Sequence, residues 1–230
     1  MALATYKDLC IDATDPQQLA QFWAPVLGWR PELLDDGDAC LRDGDGRVQV
    51  WVNSVPEAKT VKNRIHLDVN VHGDDAVDGL VAAGAVVLDA DSHRRTVLTD
   101  PDGQEFCAFV RSEPHQQRLY ELVWDSGVDA RACHDIARWW SEVLGAALVD
   151  DERGFSWVEQ IPQAPFASMD FVPVPEPKTT KNRVHIDVTT DDVEPLLVAG
   201  ANVVHSKGDG GLGWHVLADP DGNEFCAFTP

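Results

Sequence analysis

The sequence has few basic residues and no long apolar run. Lys and Arg number 18 against 39 Asp and Glu, which gives a formal net charge of -21. Nucleic acids and anionic membrane surfaces bind clusters of cations, so this composition argues against both as partners. No stretch approaches the roughly 18 consecutive apolar residues of a membrane-spanning helix. The start of the chain also lacks the basic segment followed by an apolar segment that marks a signal peptide.

Paired cysteines and the short motifs of several enzyme classes are also missing. The five cysteines form no Cys-x-x-Cys motif, which is typical of reduced thiols in the cytoplasm. There is no Walker loop, no Gly-x-Gly-x-x-Gly nucleotide motif and no Ser-His-Asp motif. We therefore predict a cytoplasmic protein whose chemistry, if it has any, does not depend on these motifs.

The chain contains an internal repeat of one unit. The segment Lys62–Val69 returns as Lys181–Val188, and Thr99–Phe109 returns as Ala218–Phe228, both at an offset of 119 residues. A repeat that spans half of the chain favours two domains, each large enough for a core of its own.

Each half is predicted to contain the order β-α-β-β-β twice. In the first helix, Asp15 is a suitable N-cap before a proline and Gly28 a suitable terminator. We place the domains at residues 1–112 and 119–230, with a polar linker at residues 113–118. The tryptophans of the long helices are predicted to lie in the core.

Three groups of residues carry a resemblance to a known family. The matching positions are Asp15, Pro16, Leu19, Ala20, Phe22, Trp23, Leu27 and Gly28, then Lys62, Asn63, Arg64, His66 and Asp68, then Asp100 to Cys107. With the tandem β-α-β-β-β pattern, they resemble the vicinal oxygen chelate superfamily of glyoxalases, bleomycin resistance proteins and extradiol dioxygenases, and especially its glyoxalase-like domains. The first helix of the second half departs from the pattern, because it lacks Asp-Pro and has Trp139-Trp140 in place of Phe22-Trp23.

The resemblance implies an α+β fold of two tandem domains. Each domain would be two paired β-α-β-β-β modules that form an incomplete barrel around a cavity. A divalent metal, such as Fe, Mn, Mg, Zn or Ni, would be held by side chains on the first and last strands of the modules. The first half would offer Asp8, Asn53, His66 and either Cys107 or Glu105. The second half would offer Glu121, Val172, His185 and either Cys226 or Glu224. Val172 cannot bind a metal, so neither half shows a complete set of four ligands.

Strand alternation bears on how these residues are arranged. Arg64, His66 and Asp68 point to one face of their strand, and such a face lines either a wet cavity or the protein surface. One His with carboxylates suits Mn, Fe or Mg better than a tetrahedral zinc site. Glu105 and Glu224 are candidate ligands or general bases, or they pair with Arg64 and Arg183.

Several further residues are assigned to the site or to the core. The candidate catalytic residues are Glu105, His66, Glu224 and His185. The candidate ligand-binding residues are Arg64, Trp51, Asp68, Arg183 and Trp157, of which the tryptophans would form walls. The candidate metal ligands are Asp8, His66, Glu105, Glu121, His185 and Glu224. Cys107 and Cys226 are interpreted as buried small hydrophobic residues.

Two hypotheses for function follow. In the first, the protein is a lyase, an isomerase or a ring-cleaving oxygenase, and a divalent metal chelates vicinal oxygens of a small substrate. In the second, it is a metal-free protein that binds and sequesters an aromatic compound. In both hypotheses the partner is a small molecule, and the protein is either a monomer with an internal pseudo-dimer or a homodimer.

Overall fold

The computed structural model describes residues 2–90 and 95–230, which form four β-α-β-β-β modules in chain order. The first module consists of β1 (Thr5–Ala13), α1 (Pro16–Leu27), β2 (Arg30–Leu33), β3 (Ala39–Arg42) and β4 (Val48–Ser54). The second consists of β5 (Ile65–His72), α2 (Ala76–Ala82), β6 (Val86–Asp89), β7 (Thr96–Thr99) and β8 (Glu105–Arg111). The predicted order is therefore confirmed in the first half.

The second half repeats the same order. The third module consists of β9 (Leu119–Asp125), α3 (Ala130–Leu144), β10 (Ala147–Asp150), β11 (Ser156–Glu159) and β12 (Ser168–Val172). The fourth consists of β13 (Val184–Thr189), α4 (Glu194–Val198), β14 (Asn202–His205), β15 (His215–Ala218) and β16 (Glu224–Phe228). A short 3-10 turn at Asp209–Gly211 precedes β15. None of the helices in the described ranges is long and apolar enough to cross a membrane.

The two long helices begin and end as their sequences predict. The carboxylate of Asp15 accepts a hydrogen bond from the backbone N–H of Gln18 at 3.0 Å, and Gly28 ends α1 with φ of 75°. In α3, the corresponding residues are Asp129 and Gly145, whose φ is 64°. Glycine suits both ends because this left-handed conformation is costly for a residue with a Cβ atom.

Within each half, a tryptophan of the long helix contacts the following module. Trp23 of α1 donates from Nε1 to Asp100 Oδ2 at 3.1 Å and packs edge-on against Phe106, with ring centroids 5.0 Å apart. Trp140 of α3 donates to Asp219 Oδ2 at the same distance of 3.1 Å. Trp23, Trp139 and Trp140 are all buried, as predicted. The modules of one half are therefore joined through a helix and an apolar core.

The sheets, in contrast, run between the halves. One eight-stranded sheet has the order β14-β15-β16-β13-β1-β4-β3-β2, and the other has the order β10-β11-β12-β9-β5-β8-β7-β6. The first module thus shares a sheet with the fourth, and the second with the third. The predicted α+β fold with a tandem repeat is confirmed, and neither sheet closes into a barrel among the described strands. The expectation that two modules of the same half enclose a cavity is wrong, because β1 pairs with β13 and β5 with β9.

Candidate functional site

Each of the two sheets carries a cavity over its four central strands. The cavity on β5, β8, β9 and β12, here called the His66 cup, has a volume of about 950 Å³. The cavity on β1, β4, β13 and β16, here called the His185 cup, has a volume of about 660 Å³. Both volumes suit a small organic ligand.

The pairing of the sheets decides which candidate residues meet. Asp68 on β5 lies opposite Glu121 on β9, and Asp187 on β13 lies opposite Asp8 on β1. His66 therefore shares a cup with Glu121, and His185 shares a cup with Asp8. The sequence-based grouping of Asp8 with His66 and of Glu121 with His185 is wrong, because each cup takes one module from each half.

The His66 cup brings five possible ligand side chains together from four adjacent strands. They are His66 and Asp68 on β5, Cys107 on β8, Glu121 on β9 and Asp170 on β12. One donor atom from each of His66, Asp68 and Cys107 lies within 4.8 Å of the others. His66 Nε2 is 3.3 Å from Asp68 Oδ1. The alternation of strand residues places all five on the face that lines the cup.

Two carboxyl groups of this cup, those of Glu121 and Asp170, hold their protons more tightly than exposed ones. Burial, followed by repulsion from the Asp170 carboxylate, raises the pKa of Glu121 to about 8. Burial also raises the pKa of Asp170 to about 6, although a hydrogen bond from the Ser168 hydroxyl opposes it. Buried carboxyl groups that repel one another in a cavity are typical of functional sites, because a proton or a cation must balance them.

The donors of the His66 cup fit a divalent cation. Asp68 Oδ1 is buried without a hydrogen-bond partner among the described residues, and His66 Nε2 lies 3.3 Å from it. An orphaned carboxylate oxygen in this position is costly unless a cation or a proton satisfies it. Burial raises the pKa of the Cys107 thiol well above its usual range. The better ligands are therefore His66 and the carboxylates, a set that suits Mn, Fe or Mg.

Glu105 and Glu224 are held in ion pairs at the rims of the cups. Glu105 Oε1 is 2.7 Å from Lys59 Nζ, and its Oε2 accepts the backbone N–H of Asn63 at 3.1 Å. Glu224 makes the same contacts with Lys178, at 2.8 Å, and with the backbone of Asn182. Both side chains line their cups, but these contacts already use both oxygens. The predicted alternative pairing with Arg64 and Arg183 does not occur.

Arg64 and Arg183 lie outside both cups. Arg64 donates to the backbone carbonyl of Glu176, and Arg183 donates to the carbonyl of Glu57 and to Asp102 Oδ2 at 2.8 Å. Each arginine thus ties its strand to a loop of the other half. The structure does not bring either of them to a ligand in the cups.

In the His66 cup, Arg95 is a cation that sequence reasoning missed. It lines the cavity, and its Nε is buried without a hydrogen-bond partner in the described part of the chain. Aromatic side chains form the walls, including Trp157 as predicted, and Phe109 packs against Tyr120 with centroids 5.6 Å apart. Asp170 was also missed, because the resemblance pointed to Val172. The two residues share a face of β12, so strand alternation alone could have found it.

The His185 cup has the same plan with different residues. His185 and Asp187 lie on β13, Cys226 on β16, and Asp8 and Cys10 on β1. Burial, strengthened by the charge of Lys181, lowers the pKa of His185 to about 4, so this imidazole is neutral. Its Nε2 is 3.4 Å from Cys226 Sγ. As predicted, Trp51 lines this cup, and Cys107 and Cys226 are both buried.

Open cups built from β-α-β-β-β modules, with histidine and acidic side chains on facing strands, define the vicinal oxygen chelate architecture. The family model of the glyoxalase-like domain matches residues 8–109 and again residues 125–228. The chain therefore belongs to the glyoxalase-like domain family.

Comparisons with solved structures support the same fold. Glyoxalase I from Zea mays is 12% identical, with a TM-score of 0.66, and the alignment covers 98% of this chain and 92% of that one. The cppA protein from Streptococcus pneumoniae is 11% identical, with a TM-score of 0.51, and the alignment covers 98% and 99%. A search of curated protein sequences found no match. At these identities the likeness establishes the fold and leaves the chemistry to the residues of the cups.

Proposed function

We propose that the His66 cup is a metal-dependent active site for a small organic molecule that carries vicinal oxygen atoms. The reaction would be that of a lyase, an isomerase or a ring-cleaving oxygenase. The observation that carries the proposal is the convergence of His66, Asp68, Glu121 and Asp170 on one cavity, with an orphaned buried oxygen on Asp68.

The ligands of the cation would be His66 and Asp68 of β5 and Glu121 on the strand opposite Asp68, with Cys107 adjacent. Bound there, a divalent cation would supply Lewis-acid stabilisation of negative charge that develops on a substrate oxygen. The protein contributes the shape of the cup and the acid-base groups. A carboxyl group with a pKa near neutrality can both give and take a proton at physiological pH, and Asp170, with its pKa raised to about 6, is suited to this role.

The remaining lining residues would orient the substrate. Arg95 Nε is buried and unpaired within the described structure, so a carboxylate or phosphate of the substrate would satisfy it. Phe109, Tyr120 and Trp157 would pack against a flat or apolar part of the same molecule. Arg95 would thus take the ligand-binding role that the sequence suggested for Arg64.

Metal analysis of matched variants tests the proposal. The chain is purified without chelator, saturated with Mn²⁺, desalted and assayed for bound metal, alongside His66→Ala and His185→Ala. We expect one equivalent of metal in the unmodified protein and in His185→Ala, and none in His66→Ala. Circular dichroism spectra serve as the control for folding. The proposal is wrong if the unmodified protein retains no metal, or if His66→Ala is folded and retains as much metal as the unmodified protein.

A further inference from the structure

The two cups differ at two equivalent positions that face the cavity. In the His66 cup, Tyr120 precedes the acidic residue of β9, and Asp170 is the acidic residue of β12. In the His185 cup, Lys7 stands in the place of the tyrosine. Asp170 lies opposite Val123, two residues after Glu121, and Trp51 lies opposite Cys10, two residues after Asp8, so Asp170 and Trp51 occupy equivalent positions. One cup therefore has a carboxylate where the other has an indole.

Lys7 places a positive charge beside the acidic side chains of β1 and β13. Its Nζ is 2.6 Å from Asp8 Oδ2 and 3.7 Å from Asp187 Oδ2. The two carboxylates are only 6% and 4% exposed, so the ammonium compensates groups that are removed from water. Trp51 Nε1 donates to the same oxygen of Asp8 at 3.2 Å. This oxygen therefore already has a cation and a hydrogen-bond donor.

The remaining donors of the His185 cup are Cys10, His185 and Asp187, and one donor atom from each lies within 4.8 Å of the others. Asp187 also faces Asp8 across β13 and β1. Because the Lys7 ammonium lies 2.6 Å and 3.7 Å from oxygens of these two carboxyl groups, it supplies the positive charge that a metal ion would otherwise supply there.

The wall of the His185 cup is aromatic and apolar. Trp51, Trp214 and Phe228 line the cavity with Leu212 and Val216. Trp214 and Phe228 are stacked, with centroids 5.3 Å apart and an angle of 28° between the rings. The lysines that line the cavity are already paired, Lys7 with Asp8 and Lys181 with Asp12. An anionic ligand would therefore find no unpaired lysine there, whereas a flat ring would find aromatic side chains.

We propose that the His185 cup is a metal-independent binding site for an aromatic molecule without an anionic group. The two cups then have different tasks, with metal chemistry in one and aromatic binding in the other. This second proposal does not rest on the first, because Lys7, Trp51 and Trp214 belong to the His185 cup alone.

Binding of N-phenyl-1-naphthylamine, a neutral aromatic fluorophore, tests the proposal. The probe is titrated into the full chain and into Trp214→Ala, with Trp157→Ala in the other cup as the matched control. We expect Trp214→Ala to weaken the affinity by at least tenfold, because the stacked wall of the cup is lost. Trp157→Ala should retain this binding event. Addition of EDTA should leave the affinity unchanged.

A second variant keeps the test decisive if removal of Trp214 disturbs the fold. Val216 is half-buried and lines the cup, so Val216→Trp fills the cavity and should also abolish binding. The proposal is overturned if the probe does not bind, if EDTA releases it, or if only Trp157→Ala weakens it. Two equivalents of metal per chain, one of them lost in His185→Ala, would also overturn it while leaving the proposal for the His66 cup intact.

Discussion

The neutral state of His185 can be tested through the pH dependence of stability. The side chain is buried in the structure, and its pKa falls from 6.5 to about 4. The folded protein therefore holds a neutral imidazole at pH 5, whereas the unfolded chain binds a proton there. The stability that results is complete above a pH of about 6.5 and is lost as the pH falls toward 4. Replacement by glutamine removes the titration and keeps a polar side chain.

The size of the effect follows from the shift. Each pKa unit corresponds to about 1.4 kcal/mol. A shift of this size should lower the free energy of unfolding by about 2 kcal/mol when the pH falls from 7 to 5. Asp187 acts in the opposite direction. Burial and the Asp8 charge raise its pKa to about 8, so the folded state gains stability as the pH falls toward 4. The pH dependence of stability in the unmodified protein therefore contains both contributions. A comparison of the unmodified protein with His185→Gln isolates the contribution of His185.

Urea unfolding at pH 7 and pH 5 supplies that comparison. The free energy of unfolding is measured for the unmodified protein and for His185→Gln at both values. We expect the advantage of the unmodified protein to be smaller by about 2 kcal/mol at pH 5. The dependence on urea concentration should be the same in both proteins, so that the difference reports stability alone. If the advantage is equal at the two pH values, His185 is not held neutral by burial, and the reasoning is refuted.

Two further predictions concern packing and metal selectivity. Asp100→Asn should lower the free energy of unfolding by about 2 kcal/mol in urea, because the carboxylate of Asp100 accepts hydrogen bonds from Trp23 and from two backbone N–H groups. Asp219→Asn should cost a similar amount, and an unchanged midpoint for both would contradict this account. The double variant Lys7→Tyr with Trp51→Asp copies the His66 cup, so metal analysis should find a second equivalent bound. A stoichiometry that stays at one would show that these two positions do not decide the difference.

Most of the fold could be predicted from the sequence because its signals are local. Helix ends at Asp15 and Gly28, the turn at residues 100–103 and the alternation of the strands each depend on a few neighbouring residues. The order of elements in all four modules followed from these signals. The buried tryptophans followed from their spacing on the helices.

The pairing of the modules could not be predicted in this way. The two charged strands, β5 and β13, have nearly the same sequence, so each presents almost the same edge to β1 and to β9. The choice between these partners depends on how the helices pack, as in the contact of Trp23 with Asp100, which joins the modules of one half back to back. The candidate site residues could not be grouped correctly for the same reason, because Asp8 lies in the His185 cup and Glu121 lies in the His66 cup.

Side-chain contacts between neighbouring strands also could not be predicted from the sequence. Lys7 is one residue from Asp8, yet its approach to Asp187 becomes visible only once β1 lies beside β13. Asp170 lies on a short strand that resembles many others in composition. Arg95 follows the undescribed residues and belongs to no motif. The division at residues 113–118 and the catalytic roles of Glu105 and Glu224 stay predictions.

The sharing of each sheet between the halves has a consequence for how such a protein can evolve. Two identical copies of one half would assemble as a symmetric pair, and every substitution would then appear in both cups at once. Joining the copies in one chain removes that constraint. The lysine at position 7 and the tyrosine at position 120 can then differ, although they descend from the same place in the repeat. Duplication and fusion would thus have given one molecule two sites that selection can alter one at a time.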